Sequence, residues 1–493
     1  MDLLESFGFK NFRQFEKFNS LNLSKLNILT GPNNSGKSTF IKALLLFGES
    51  QKQWSDKDLW GERLDFRNIN YDYGGISANY NDINNTLCFY IGFREYYFCY
   101  EFDENGELIY NYKITQRDKL VIQQAGGNLQ INLEFFSDFL KQFRKDYKFE
   151  NTINNILYTL EEYRKRNTSY LSLILEDSDE EYPVPYIYQS DIDFGENKEL
   201  TDYVKLSGLA VDFDIDEADL NLEATLNFLF SKFFNIKDIE KEFFNCILPN
   251  LKPDHKILPK LFYLPSFKFG GVKRSYSMND RSIFKDLIQN YVENNNNSSY
   301  RTFFPNKKVF DDFFIEWLRK FDIPESINID FDEIRGVYYI TIDNKSIIDY
   351  GLGTAQIISI MLWIDSIKSN SNKYRDFRPI LILEEPETNL HPDLQSKFIE
   401  FIVEMMERED FQVLIETHSE YFIRKIQYLT ATKKIEKDKT KIFYFNKTKS
   451  DVRISEIAIN EDGSLTEDFG SGFMDEADNI ALALYKIQKK NLN

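Results

Sequence analysis

One stretch constrains the fold of this chain more than any other: Leu26-Asn27-Ile28-Leu29-Thr30-Gly31-Pro32-Asn33-Asn34-Ser35-Gly36-Lys37-Ser38-Thr39. An apolar run ends at Thr30. A loop with glycines at Gly31 and Gly36 follows, and Phe40 to Phe47 then reads as a helix. Strand, loop and helix in that order, with G-x-x-x-x-G-K-[ST] from Gly31 to Ser38, predict a phosphate-binding loop. The chemistry asks for these residue types. Glycines let backbone N–H groups turn inward around phosphate oxygens. The helix N-terminus adds a partial positive charge. Lys37 reaches the β- and γ-phosphates of a nucleotide, and the Ser38 hydroxyl binds Mg2+. The nucleotide contacts expected here are Gly31, Pro32, Asn33, Asn34, Ser35, Gly36, Lys37, Ser38 and Thr39.

A chain of 493 residues with 42% hydrophobic residues buries a large core and forms more than one domain. Its net charge of −19 repels phosphate backbones overall, so a nucleic-acid contact requires a local basic patch. No apolar run is long enough to span a bilayer, and the acidic N-terminus lacks the basic start of a signal peptide. The three cysteines, Cys88, Cys99 and Cys246, show no C-x-x-C spacing. They read as buried thiols in a reducing cytoplasm.

Four further stretches complete a site. Asp349-Tyr350-Gly351-Leu352-Gly353-Thr354-Ala355-Gln356 opens an apolar helix from Ile357 to Ile367, and small residues there present backbone N–H groups to an anion. A helix cap with packed glycines is an equal reading. Pro379 to Glu387 is an apolar strand that delivers Glu384 and Glu385 at its carboxyl end, where an α/β sheet places acids beside phosphate and metal. Glu384 is expected on the magnesium side, and Glu385 as general base toward the attacking water. Thr388-Asn389-Leu390-His391-Pro392 opens a helix from Asp393 to Met406, with His391 read as a cap. Phe411 to Ser419 is a strand ending at His418, which is expected to meet the γ-phosphate or the water.

Elsewhere, short strands around Leu4–Phe9 and Phe18–Leu23 suggest a β-layer, and Thr86 to Ile114 reads as strands with a hairpin at Asp103-Glu104-Asn105-Gly106. Arg13 is either a nucleotide contact or a surface arginine. Gln51 and Gln53 are candidates for the magnesium water. From about Leu133 the apolar spacing turns helical, as in Phe135-Phe136-Phe139-Leu140-Phe143 and in Leu222 to Leu248. The segment Lys268 to Tyr276 is basic and aromatic, suiting a nucleotide, DNA or partner contact or a plain surface loop.

With these motifs in hand, the chain resembles the ABC/SMC-like ATPases of the RecF, RecN and OLD type. Gly31–Ser38 matches their Walker A, Leu352 to Gln356 a signature-like motif, Leu381 to Glu385 Walker B, Asn389 and His391 the D-loop region, and His418 the switch histidine. Glu384-Glu385-Pro386-Glu387 with Leu390-His391-Pro392 is similar to the OLD-like subgroup, whose members, such as the Septu-type ATPase, often serve in anti-phage defence. The resemblance implies an α/β ABC-type P-loop head with a mixed sheet, flanking helices, an antiparallel β-layer and an inserted helical lobe. Its parts would be residues 1–113 and 256–445 as the two halves of the head, 114–255 as a mainly helical insertion, and 446–493 as a β/α cap. It implies ATP and Mg2+, catalysis by Glu385 and His418, metal at Ser38 and Glu384, and a head-to-head homodimer. In that dimer Gly353, Thr354 and Gln356 of one subunit would close over the nucleotide of the other, with Asn389 near the seam. A separate nuclease or toxin effector is the expected partner, with DNA open as another and no membrane. Two departures bear on hydrolysis rate rather than nucleotide binding: Glu384 stands where many relatives have aspartate, and Gly353 where serine is usual. No nuclease activity of its own is expected. The alternatives are a repair ATPase that clamps DNA directly and a non-hydrolysing scaffold.

Overall fold

The computed structural model describes residues 3–17, 19–51, 86–93, 96–102, 108–116, 119–125, 128–132, 170–176, 184–188, 259–266, 276–277, 309–332, 334–370, 378–447, 452–469 and 474–491, with 64, 134, 137, 273, 275, 288 and 289 singly. The chain divides into two compact units. One comprises residues 1, 23–41 and 259–493, and the other residues 2–22 and 42–258.

The first unit is built on a sheet of six strands. Its members are β3 (Leu26–Thr30), β11 (Leu261–Leu264), β16 (Ile380–Glu384), β17 (Gln412–Glu416), β18 (Thr440–Lys447) and β19 (Val452–Ile457). The spatial order is β11-β16-β17-β3-β18-β19. All neighbours run parallel except β19, which pairs antiparallel with β18 at the edge. Strands β3 and β17 are buried at every position, as a parallel sheet covered on both faces demands.

Helices supply the cover: α2 (Asp312–Lys320), α3 (Leu352–Asn370), α4 (Pro392–Glu409) and α5 (Glu420–Ala431) belong to this unit, and α1 (Lys37–Gln51) starts in it; α6 (Glu476–Asn491), whose described side chains are exposed, belongs to it as well. Helix α3 is apolar around its circumference, with Ile357, Ile358, Ile360, Met361 and Ile364 all fully buried, the mark of an interior helix. Helix α2 is amphipathic instead. Asp311 caps it by accepting from the Phe314 N–H at 3.0 Å, and its buried face packs Phe314 and Trp317 around Phe401 of α4. Trp317 also donates its indole N–H to Glu404 at 3.0 Å, so the ring is buried without stranding its polar atom. A second, smaller sheet holds β12 (Tyr276–Ser277), β13 (Ile327–Asp332), β14 (Val337–Ile342) and β15 (Lys345–Ser346).

The second unit is a nine-stranded antiparallel sheet in the order β10-β9-β8-β7-β6-β5-β4-β1-β2. Its strands are β1 (Ser6–Lys10), β2 (Asn19–Asn22), β4 (Leu87–Phe93), β5 (Tyr96–Phe102), β6 (Leu108–Gln116), β7 (Lys119–Ala125), β8 (Asn128–Asn132), β9 (Tyr170–Glu176) and β10 (Val184–Tyr188). Phe7, Phe9, Phe12, Phe15 and Phe89 form its aromatic core. The α/β class and the pairing of a mixed sheet and flanking helices with an antiparallel sheet are those expected of an ABC-type head.

Strand pairing bears on two expectations about the domains. The first concerns the boundary near 113: β1, β2 and β4 hydrogen-bond into one continuous ladder with β5 to β10, so residues 2–22 and 42–258 form one unit. The second concerns the expected mainly helical stretch 114–255, whose described residues include the strands β7 to β10 and most of which lies outside the described residues. Tyr170 to Glu176 alternates Leu171, Leu173 and Leu175 at period two, a strand pattern. The helical runs read at Phe135–Phe143 and Leu222–Leu248 lie outside the described residues, apart from Glu134 and Ser137, which are helical. The hairpin turn Asp103–Gly106 also lies outside them, while β5 and β6 on either side pair as expected. Cys88 and Cys99 are free thiols, and Cys246 is outside the described residues. Among the described residues no helix is long and apolar enough to cross a membrane.

Candidate functional site

The loop after β3 is fixed by backbone geometry. Gly31 has φ +135°, and a Cβ there would sit 2.2 Å from the carbonyl oxygen of Phe445 on β18. Only glycine fits. Gly36 has φ +109° and Asn34 φ +59°, so the loop uses left-handed backbone where glycine and asparagine tolerate it. Lys37 opens α1 and is almost fully buried. Its ammonium donates to the carbonyls of Gly31 at 3.0 Å and Pro32 at 2.8 Å, folding back over the loop. Burial pushes the Lys37 pKa down, opposed by the carboxylates of Glu416, Glu385 and Glu387.

The sheet order brings the acids to this loop. Strand β17, not β16, is the immediate neighbour of β3, and its last residue Glu416 pairs with Leu29 on one side and with Glu384 on the other. The Ser38 hydroxyl donates to Glu416 Oε1 at 2.8 Å. Thus the carboxylate beside the loop serine is Glu416, which the sequence reading passed over, with Glu384 one strand further on. A signal was present: like Glu384, Glu416 is an acid that ends an apolar strand. Burial, then the charge of Glu384, pushes the Glu416 pKa up to about 7, against the opposing pull of the Ser38 bond and of Lys37.

Glu385 follows β16 in left-handed backbone, φ +44°. Its N–H donates to the Glu416 carbonyl at 2.8 Å, which anchors that unfavourable conformation to β17. Glu387 completes the turn, its Oε1 accepting from the His418 N–H at 2.7 Å. Burial raises the Glu387 pKa.

Thr30 Oγ1, Ser35 Oγ, Glu387 Oε2 and Glu416 Oε2 are buried and have no hydrogen-bond partner among the described residues. All four lie on the loop or at the carboxyl ends of β3, β16 and β17. Buried polar atoms are nearly always satisfied, so this grouping fits a polar ligand at the strand ends. The charges fit a metal too. Glu385, Glu387 and Glu416 act on one ammonium, Glu384 adds its charge beside Glu416, and a polyphosphate beside them needs a divalent cation. Among the described residues no group of three or more His, Cys, Asp or Glu side chains forms a protein-only cage. Magnesium does not need one, since it is held by one or two carboxylates together with substrate phosphates.

The signature-like helix packs against the turn that carries Glu385. A Cβ on Gly353 would meet the Asn389 carbonyl at 2.9 Å, so glycine lets α3 approach the turn. Gln356 links α3 to the same turn. It is fully buried, donates to the Pro386 carbonyl at 2.7 Å and accepts from Asn389 Nδ2 at 3.4 Å. It sits one turn before the buried Ile360, and its side-chain amide braces the turn. Gly351, Leu352, Gly353 and Thr354 are at least partly exposed at the helix N-terminus.

His391 caps α4, accepting from the Asp393 N–H at 3.4 Å. His418 is exposed at the end of β17, and next to it Ser419 caps α5 and donates to Gln395 at 2.5 Å. Arg13 belongs to the second unit, where its guanidinium lies 5.6 Å from the Phe12 ring centroid. Gln53 and most of Lys268–Tyr276 lie outside the described residues, as does the side chain of Gln51. A cleft of about 380 Å3 lined by Glu400, Glu404, Glu407 and Lys434 lies at the opposite end of the sheet. There Glu407 pairs at 3.2 Å with Lys25, which precedes β3. It carries none of the motif residues.

A family model described as an AAA ATPase domain matches residues 3–423, most of the chain. The chain belongs to that family. The match to the AAA ATPase domain spans the whole strand-end site, from Gly31 to His418, and marks the chain as an ATPase of that family. A second model, described as a protein of unknown function (DUF3696), matches residues 435–484. No curated protein matches the chain. Among solved structures, the SMC head domain from Thermotoga maritima is 11% identical over 92% of this chain and 98% of that one, at a TM-score of 0.35. The Smc head domain with an extended coiled coil bound to the C-terminal domain of ScpA, from Pyrococcus furiosus, is 11% identical over 93% and 97%, at 0.37. At such scores the fold rests on the sheet order described above.

Proposed function

We propose that this AAA ATPase domain is a Mg2+-dependent ATP hydrolase that works as a nucleotide-driven switch. The observation that carries the proposal is the meeting of Lys37 and Ser38 with acids from two adjacent strand ends, sealed by the 2.8 Å bond from Ser38 to Glu416. The loop N–H groups would receive the phosphates, and Lys37 would exchange the Gly31 and Pro32 carbonyls for the β- and γ-phosphate oxygens. Ser38 and Glu384 would hold Mg2+, which when bound neutralises phosphate charge and polarises the γ-phosphoryl group. A water adds to the γ-phosphorus, the bond to the β,γ-bridging oxygen breaks, and Glu385 takes the proton from the water. His418 would orient that water or the γ-phosphate. Left-handed backbone at Glu385, held by Glu416, suits a base that must be held in one place.

Hydrolysis of this kind acts between two copies. The open N-terminus of α3, with Gly353 and Thr354, would close over the γ-phosphate of a second subunit, and Leu352, 55% exposed, would be covered in that contact. Asn389, exposed on the same turn, would lie near the seam. We place the chain with the OLD-like ATPases that resemble the Septu type, as the ATPase subunit of an anti-phage system governing a separate nuclease or toxin in the cytoplasm. The net charge of −19 weighs against a chain that clamps DNA by itself.

The test is mass measurement of the purified chain with ATP and Mg2+, wild type against Glu385→Gln. Accumulation of the variant as an ATP-dependent dimer or larger assembly supports the switch. An oligomeric state that ignores nucleotide in both proteins removes it.

A further inference from the structure

Glu416 does more at the strand ends than its place between an apolar run and the Thr417-His418 pair suggests. It is 4% exposed. Its backbone is pinned on both sides: its carbonyl accepts from Glu385 N–H, and the next N–H, of Thr417, donates to Leu29 O at 3.0 Å. Its Oε1 accepts the Ser38 proton at 2.8 Å, and its Oε2 is buried with no hydrogen-bond partner among the described residues. Its strand neighbour in register is Glu384.

A purely structural partner for Ser38 would not need a charge. Glutamine would accept the same hydrogen bond without the cost of burying a carboxylate next to another acid. The direction of the bond is also informative. With its proton given to Glu416, Ser38 Oγ turns its lone pairs elsewhere, which is the state a hydroxyl needs in order to ligate a cation. Such a partner tunes and orients a metal ligand as second-shell carboxylates do.

Resting on the ATPase reading above, we propose that Glu416 is a metal-positioning residue of the nucleotide site. It holds the Ser38 hydroxyl as a ligand, and its second oxygen accepts from the water shell of the divalent cation, on the side facing Glu384. The two roles divide between two strands: Glu416 from β17 orients the serine, and Glu384 from β16 closes the far side of the shell.

The experiment measures Mn2+ binding by electron paramagnetic resonance, with the non-hydrolysable analogue AMP-PNP and the full chain. Wild type, Glu416→Gln, Ser38→Ala and the double variant are compared, each checked for a single cooperative thermal unfolding transition. AMP-PNP binding in EDTA is measured in parallel. Glu416→Gln is expected to keep metal-free nucleotide binding within about twofold and to weaken Mn2+ binding by roughly 10- to 100-fold. In the Ser38→Ala background the same change is expected to cost clearly less, because the two side chains act as a unit. Mn2+ affinity within twofold of wild type in Glu416→Gln overturns the proposal, as does full additivity of the two substitutions. If wild type itself takes up neither AMP-PNP nor Mn2+, the ATPase reading falls and this inference with it. If Glu416→Gln does not fold, Ser38→Ala alone decides: the proposal requires its Mn2+ affinity to fall while metal-free nucleotide binding persists.

Discussion

Replacing Glu416 with glutamine gives a pH-dependent change in stability whose size follows from the site. Burial and the neighbouring Glu384 raise the Glu416 pKa from an ordinary 4.5 to about 7. The folded state therefore holds that proton more tightly than the unfolded chain. The stability this confers is fully present below pH 4.5 and is lost as pH rises through about 7. At about 1.4 kcal/mol per tenfold of proton affinity, ionised Glu416 withholds about 3 kcal/mol by pH 8. Glutamine never ionises. Relative to wild type, Glu416→Gln should thus gain about 3 kcal/mol at pH 8 and about 1 kcal/mol at pH 5. For a unit of about 250 residues, 1 kcal/mol moves the midpoint by about 2–4 °C. Calorimetric scans of the apo proteins in EDTA, at steps from pH 5 to pH 8, read the gap between variant and wild type. Titrating groups that do not interact with Glu416 cancel in that difference. A gap that stays constant across the range, or widens toward pH 5, would refute the reasoning.

Three further outcomes follow. Gln356→Ala strands the Pro386 carbonyl in the interior, so the protein should lose about 1–3 kcal/mol in denaturant unfolding. If the Glu385 turn loosens with it, kcat for ATP falls while KM holds. Gly353→Ala drives a methyl to 2.9 Å from the Asn389 carbonyl, and the shift it forces should lower ATP turnover more than ATP binding, read by fluorescent-nucleotide titration. Gly31→Ala combines φ +135° with a 2.2 Å clash against β18 and should destabilise the first unit by several kcal/mol, on the order of the large point-mutant effects, in thermal unfolding.

Much of the site was legible because its parts are local. The loop from Gly31 to Ser38 needs only a strand before it and a helix after it, and the apolar run into Glu384 and Glu385 announces a buried strand with acids at its end. Glu416 was missed because its importance depends on sheet order. Nothing in the residues from Phe411 to Ser419 says that this strand, rather than β16, lies beside β3, and that adjacency is what brings its last side chain to Ser38. Gln356 makes a contact that its motif does not announce. The motif points it toward the nucleotide, while the fold brings the Pro386 carbonyl to 2.7 Å from its side-chain amide. The strands β7 and β8 escaped notice because Lys119–Ala125 and Asn128–Asn132 are rich in glutamine and asparagine, and asparagine is depleted in strands, so only their place in a continuous ladder makes them strands.

The most direct measurement is phosphate release from ATP and Mg2+ by wild type and Glu385→Gln, with ATP binding quantified on the same samples. Turnover by wild type, with the variant binding ATP as tightly while releasing phosphate at least about 100-fold more slowly, is the predicted result for a general base. Phosphate release from the variant at the wild-type rate would contradict the assignment of Glu385 and, with it, the mechanism built on these strand ends.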